Sequence, residues 1–476
     1  MTFFNTEITW FLDVYILLIL GYAILIMSSY LALAYISTKE LRRYLKRNSF
    51  VDYEVLLTSE FAPKLSLIAP AYNEGLTIEE NVKSLLSLNY NNYQVIVVND
   101  GSKDNSMEIL TKTYDLVLTD LEFHPKIETK KIRGIYTSRN AAFKKLIVVD
   151  KENGGKADAL NVGLNIAQNP YVVCIDVDCI LDKDSLLKLA KPFLESYGKR
   201  IIATGGVVRI ANQCIIKNGR LVEVNVPDVM LSRIQVLEYL RAFLLGRMAW
   251  GKLDGLLLIS GAFGAFDKEI AILSGGYSTK TVGEDMELIV RMRRYMLDNK
   301  LPYSVSYIPD PLCWTEAPED FKIFKKQRSR WMRGTIETLS IHRRMFLNPK
   351  YKLLGMLSVP YWTLFEFLAP AIEFIGLIIT AVFIIFGLLN WHFFFLLLLF
   401  VYTFAVLFSV IALYSDEKTY HKYPKQADFF KLLMAAFIEP FYFHPLTVYA
   451  ALVGYKEKIM GTKGWGEMTR KGFTKK

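Results

Sequence analysis

The chain has 476 residues, 52% of them hydrophobic, with a mean hydropathy of +0.23 and a formal net charge of +10. That apolar content exceeds what a water-soluble domain usually carries, so an entirely soluble protein is excluded and bilayer-length runs are to be sought. No basic and aromatic nucleic-acid module is visible, and the five histidines do not join the four cysteines at zinc-ligand spacing, which argues against a nucleic-acid partner and a Cys/His metal centre.

From Phe11 to Ile36 only Asp13 is charged. The run exceeds the roughly 20 residues that cross about 30 Å of hydrocarbon, so it is expected to be a retained span. A cleaved signal peptide fits less well, because its apolar region would be shorter and preceded by a basic start. Lys39, Glu40, Arg42, Arg43, Lys46 and Arg47 follow, a basic excess that marks the cytoplasmic side and meets anionic lipid. The domain that follows is therefore expected in the cytosol, where thiols stay reduced and Cys174, Cys179, Cys214 and Cys313 are packing residues.

Between about Thr58 and Arg344 short apolar runs alternate with amphipathic stretches, the pattern of an α/β fold with a mainly parallel sheet. Predicted strands are Leu65 to Ala69, Gln94 to Val98, Leu146 to Val149 and Tyr171 to Ile175. In open α/β sheets the loops at the carboxyl ends of strands carry the ligands, and polar residues follow each of these strands.

After the first strand come Pro70, Ala71, Tyr72, Asn73 and Glu74, a ring to stack on a base with polar groups for a ribose, or ordinary loop residues. After the second, Asp100 is placed to accept the imide N–H of a uracil, and Asp104 to cap the next helix or support the turn. Gly154 and Gly155 let the backbone approach an anion while Lys156 supplies charge for a phosphate; a solvated turn is the bland alternative. Asp176 and Asp178 follow the fourth strand two apart, so on an extended chain both carboxylates point the same way and suit Mg²⁺ or Mn²⁺. The competing reading is a polar turn before a capped helix.

Gly283, Glu284 and Asp285 open a helix-like run, where acidic residues complement the helix dipole or supply a general base. Gln327, Arg330 and Trp331 share one helical face, which suits a sugar and a phosphate; the surrounding lysines and arginines equally describe an interfacial helix. After Asn348 the chain turns apolar, with Ile375 to Leu389, Phe393 to Tyr414 and Lys431 to Tyr455 as candidate passes. Three passes would put the tail beyond Tyr455, with seven Lys/Arg against two Glu, on the outer side against the positive-inside tendency. Either Leu353 to Leu389 makes two short passes around Pro370, or one segment lies in the interface.

Taken in order, the Asn73-Glu74 turn, Asp100, the Gly-Gly-Lys turn, the aspartate pair, Glu284-Asp285 and Q-x-x-R-W resemble the membrane-bound family 2 glycosyltransferases, over about Pro63 to Arg333. That family includes cellulose, chitin, hyaluronan and poly-N-acetylglucosamine synthases. The resemblance implies a GT-A nucleotide-diphospho-sugar transferase domain, a mixed and mainly parallel sheet flanked by transmembrane helices, and an inverting displacement that makes a β-linked product.

Carried over to this sequence, Pro70, Tyr72, Glu74, Asp100 and Asp176 would belong to the donor site, with Lys156 on the diphosphate and Asp176 and Asp178 on the metal. Asp285 would be the base with Glu284 beside it, Gln327, Arg330 and Trp331 would hold diphosphate and acceptor, and Ser260, Gly261, Ala262 and Phe263 match a strand lining the acceptor site. One departure is Gly283, where several synthases have threonine.

The expected organisation is a span and basic segment (1–47), a cytosolic catalytic domain (48–345) and a C-terminal membrane region of about three spans with a basic tail (346–476), in the plasma (inner) membrane. The implied partners are a UDP-sugar donor, a polysaccharide or lipid-linked acceptor, and membrane lipids. Single-sugar transfer to a lipid carrier is the nearest rival; a transporter or a sugar sensor without catalysis is the rival of another class.

Overall fold

The computed structural model describes residues 2–195, 198–217 and 219–462. The basic tail expected from the sequence falls mostly outside these residues.

Strands β1 (Leu65–Ala71), β2 (Tyr93–Asn99), β3 (Leu116–Leu118), β4 (Ile132–Ser138), β5 (Leu146–Lys151), β6 (Tyr171–Ile175), β7 (Ile180–Leu181) and β8 (Arg200–Ile210) are followed by a hairpin of β9 (Ile215–Lys217) and β10 (Arg220–Glu223), then by β11 (Phe263–Asp267) and β12 (Tyr303–Thr315). All but the hairpin form one ten-stranded sheet of order β3-β4-β5-β2-β1-β6-β11-β8-β12-β7. Strands β5, β2, β1 and β6 run parallel, whereas β4 and β11 run against their neighbours. The central strands are continuous runs of Val, Ile and Leu because both faces are covered. Leu65, Leu67, Ile68 and Ala69 have no exposed surface.

The four predicted strands are present, each beginning within a residue of its expected start. Ser260 to Ala262 were expected within a strand, but they form a turn closed by Phe263 N–H donating to Ser260 O, 3.0 Å away, and β11 begins only at Phe263.

The helices that position the site are α1 (Thr2–Asn48), α2 (Lys156–Ile166), α3 (Met230–Leu240), α4 (Glu284–Asp298), α5 (Phe321–Ile341), α6 (Ala369–Ile385), α7 (Trp391–Thr419) and α8 (Gln426–Ile459). Among the described residues two stretches, Val14–Asn48 of α1 and α7, are long and apolar enough to cross a membrane, or three if the segment Leu354–Phe367 and α6, bent by 41°, form one span. The sequence expected three C-terminal passes, but α8 is not among these helices. It carries Asp428, Lys431, Glu439 and His444 and packs along α5. A Cβ at Gly454 would meet Ser329 O at 2.7 Å, so the two helices touch through backbone.

Buried ion pairs fasten the sheet to the apolar helices. Arg209 at the end of β8 grips Asp416 at the end of α7 with both Nη groups, and neither side chain is exposed. Such bidentate geometry helps to offset the cost of taking two charges out of water.

Candidate active site

The loops after β1, β2, β5 and β6 meet at the carboxyl ends of the parallel strands. Asn73 N–H donates to Ser102 Oγ (2.9 Å), its Oδ1 accepts from Lys103 N–H (2.8 Å), and Gly75 N–H donates to Asp104 Oδ2 (2.9 Å), so the first two loops brace each other. Tyr72 remains exposed beside them and Pro70 partly so.

Asp100 is tied into the loop after β5. It is 3% exposed, and its two oxygens accept from Gly154 N–H (2.9 Å), Gly155 N–H (2.8 Å) and Lys151 Nζ (2.5 Å). The anion that the two glycine amides cradle is therefore this carboxylate, which positions the turn. Gly155 has φ +86°, a conformation that side chains other than glycine rarely adopt, and α2 starts at the next residue, Lys156.

Lys156 reaches Asp176 Oδ1 at 2.5 Å and Glu284 Oε1 at 3.6 Å. Burial works against its charge, yet Asp176 and Glu284 together keep its pKa above that of a free lysine. A Cβ on Gly261 would lie 3.1 Å from Asp285 Oδ2 and 3.2 Å from Lys156 Nζ, and Gly261 N–H donates to Asp285 Oδ2 (2.9 Å). The turn before β11 thus closes onto the start of α4. Lys156, Asp176, Glu284, Asp285 and Gly261 occupy one place, although the chain separates them widely.

Asp176 and Asp178 are not held by strand alternation. The strand stops at Ile175 and a turn follows, with Cys179 N–H donating to Asp176 O (3.0 Å). Asp178 is 5% exposed, whereas Asp176 borders the cleft. Among the described residues no group of three or more His, Cys, Asp or Glu gathers as a metal cage. A divalent cation shared with phosphates and water needs only one or two carboxylates, so this oxygen-only pair fits Mg²⁺ or Mn²⁺.

Glu284 and Asp285 differ in surroundings. Burial pushes the Glu284 carboxyl up to about 7, against the pull of Lys156 and Arg330, while Asp285 stays partly open. The fold prefers the protonated form of Glu284, so this stabilisation is complete below its ordinary value of 4.5 and is lost as pH rises through about 7. Glu284→Gln stays neutral and should gain on the wild type as pH rises from about 5 to about 8, by on the order of 3 kcal/mol. Thermal unfolding in detergent across that range measures it; a pH-independent difference would mean that Glu284 is ionised throughout.

Helix α5 starts at a true cap, Asp320 Oδ1 accepting from Lys322 N–H (2.7 Å) and Ile323 N–H (3.3 Å). Gln327 Oε1 is buried without a hydrogen-bond partner among the described residues, and Arg330 is buried near Glu284. Trp331 is 41% exposed, with the Arg328 guanidinium 4.1 Å from its ring centre. Arg328 is itself fixed by Glu238 of α3 through bonds of 2.6 and 2.7 Å. Sequence reasoning missed this Glu238–Arg328 support, since 90 residues separate the partners. It also missed Lys151, whose only signal was a lysine closing an apolar strand.

Gly283 gains a reason as well. A Cβ there would lie 2.7 Å from Gly334 Cα, and one on Gly334 would lie 2.8 Å from Gly283 Cα. Helices α4 and α5 therefore meet backbone to backbone, which fixes Asp285 relative to Trp331. Gly334→Ala should push them apart and lower transfer by about 100-fold, since misplacement of about 1 Å has that effect, while UDP affinity is retained. Initial rates alongside UDP calorimetry check this; wild-type rates would show that the contact yields freely.

Residues 66–212 match the family model described as Glycosyl transferase family 2, and residues 171–406 the one described as Glycosyl transferase family group 2. The poly-beta-1,6-N-acetyl-D-glucosamine synthase of Staphylococcus epidermidis is 29% identical over 278 residues, 58% of this chain and 55% of that protein. The synthase of the same name from Staphylococcus aureus strain COL is 28% identical over 307 residues, 63% of this chain and 60% of that protein. The chain thus spans a little over half the length of these relatives.

Among solved structures, a mannosyltransferase of Pyrobaculum calidifontis in complex with GDP-Man and Mn²⁺ superposes with a TM-score of 0.50 at 16% identity, over 93% of this chain and 99% of that one, a likeness of fold. Two overlapping matches that run from residue 66 to residue 406, on a sheet of this order, lead to one conclusion: the chain belongs to the family 2 glycosyl transferases.

Proposed function

We propose that the protein transfers a sugar from a UDP-sugar to the growing end of a polysaccharide, repeatedly and with inversion, at a cleft on the cytoplasmic side of the plasma membrane. The convergence of Lys156, Asp176, Glu284 and Asp285 beside Gly261 carries this reading. Asp285 takes the proton from the acceptor hydroxyl, the freed oxygen bonds to the anomeric carbon, and the bond to the diphosphate oxygen breaks. The nucleoside diphosphate leaves with the electron pair, so an α-linked donor gives a β-linked product.

Lys156 and Arg330 meet the charge that develops on the leaving diphosphate. Asp176 and Asp178 would hold a divalent cation, which supplies further neutralisation of that charge when bound. Tyr72 and Pro70 border the nucleotide, with Glu74 bracing their loop, and Trp331, Ser260 and Gly261 border the acceptor. The curated relatives are named for N-acetylglucosamine, which makes UDP-N-acetylglucosamine the first donor to try.

The purified, membrane-reconstituted protein with radiolabelled UDP-sugars and Mg²⁺ or Mn²⁺ should build a ladder of products. A single organic-soluble product would replace polymer synthesis with one-step transfer to a lipid carrier. Persistent absence of transfer from every donor would overturn the reading.

A further inference from the structure

Helix α3 continues into a π-helical turn, Arg241–Arg247, which packs between α1, α7 and the sheet. Such turns recur at functional sites because the wider winding re-aims side chains at a cost in stability. Its two arginines differ in their partners. Arg241 donates to Glu439 of α8 and to Ser409 of α7, at 2.6 and 2.5 Å. Arg247 lies over the Phe243 ring at 3.9 Å, and its Nη1 is buried with no hydrogen-bond partner among the described residues.

The π-helical turn packs against β12, the strand that carries Tyr307, and Tyr307, Asp285, Tyr239 and Glu366 all act electrostatically on the Arg247 guanidinium. Tyr307, on β12, is 8% exposed, and its hydroxyl too is buried without a hydrogen-bond partner among the described residues. A buried polar group left unmatched costs about 1–3 kcal/mol, and more when charged, so two in one neighbourhood describe a place that an oxygen-bearing group completes. The charge around them decides which group. Asp285 is a carboxylate, so a phosphate arriving beside it meets like charge, whereas a neutral sugar offers hydroxyl oxygens to the guanidinium and the phenol without repulsion.

We propose that Arg247 and Tyr307 form a subsite that holds a sugar unit of the acceptor between Asp285 and the segment that carries Glu366. The subsite rests on the transfer reaction proposed above. Arg247 supplies a charged donor through Nη1 and Tyr307 a neutral hydroxyl, so the arginine should matter more.

The test uses the full chain in detergent, with a donor that the wild type accepts and an added oligosaccharide acceptor of varied concentration. UDP affinity is measured by calorimetry in parallel. Arg247→Met should raise the acceptor KM by about tenfold or more and Tyr307→Phe by about threefold, in line with loss of a charged and of a neutral hydrogen bond. UDP affinity should move by less than about twofold in both, and Arg247→Lys should fall between Met and the wild type.

Tyr307→Phe removes one oxygen and keeps the ring packing, so it carries the test even where Arg247→Met fails to fold. An unchanged acceptor KM in Tyr307→Phe overturns the subsite while leaving the transferase reading intact. A loss of UDP affinity equal to the change in acceptor KM assigns these residues to the donor and overturns it as well. A wild type that transfers from no donor overturns both.

Discussion

Replacing Asp285 with asparagine should lower sugar transfer by about 10³-fold while leaving UDP affinity nearly unchanged, the range expected when a general base is removed. The side chain accepts the Gly261 N–H bond of 2.9 Å, and the asparagine carbonyl can accept the same bond, so the turn before β11 should survive. What asparagine cannot do is take a proton. Glu284→Gln in the same assay separates the two neighbours, because Glu284 is buried against Lys156 and should matter less to the proton transfer. Initial rates with calorimetric UDP binding decide the matter: more than about a tenth of wild-type activity in Asp285→Asn would be incompatible with a base at this position.

Lys151→Met should be the most destabilising single change in the catalytic domain. The ammonium has no exposed surface and lies 2.5 Å from Asp100 and 2.7 Å from Asp158, so its removal strands two buried carboxylates. Breaking such a group by taking away one partner costs about 3–5 kcal/mol. A drop in the melting temperature on the order of 10 °C follows for a domain of this size.

The change should also loosen the Gly154–Gly155 turn, since Asp100 holds both amides, and weaken UDP binding through Lys156 at its end. Adding Asp158→Asn should recover part of the lost stability by removing one stranded charge. A melting temperature within about 2 °C of the wild type in the single variant would mean that water replaces the ammonium.

Both predictions draw on residues whose legibility in the sequence differed. Asp285 was visible because an acidic pair at a helix start, in order with the other motifs, points to one chemistry. Lys151 was not, because a lysine ending an apolar strand has no meaning until its partners are known. Asp100 was visible as a candidate, but its bond to Lys151, 51 residues away, was not. Strand β5 pairs with β2 in parallel register, Asn99 opposite Asp150, and only that register puts the two side chains together.

The two aspartates after β6 teach a related lesson. Two residues apart on an extended strand would share a face, but the strand ends one residue before the first of them, and a turn decides where each points. The segment Lys431 to Tyr455 was legible as an apolar run, but that Glu439 of α8 meets Arg241 and His444 meets Glu373 was not.

The chain by itself determined where the central strands lie, which loops carry polar residues, which segments are apolar enough for a membrane, and the order of motifs that identifies the family. These follow from side-chain periodicity and backbone preference, which act between near neighbours. Only the tertiary structure decided that Asp100 braces a turn, that Gly283 and Gly334 meet without side chains between them, and that α8 lies along α5. Those outcomes depend on contacts between groups tens to hundreds of residues apart, whose free energy exists only once sheet order and helix packing bring them within hydrogen-bonding distance.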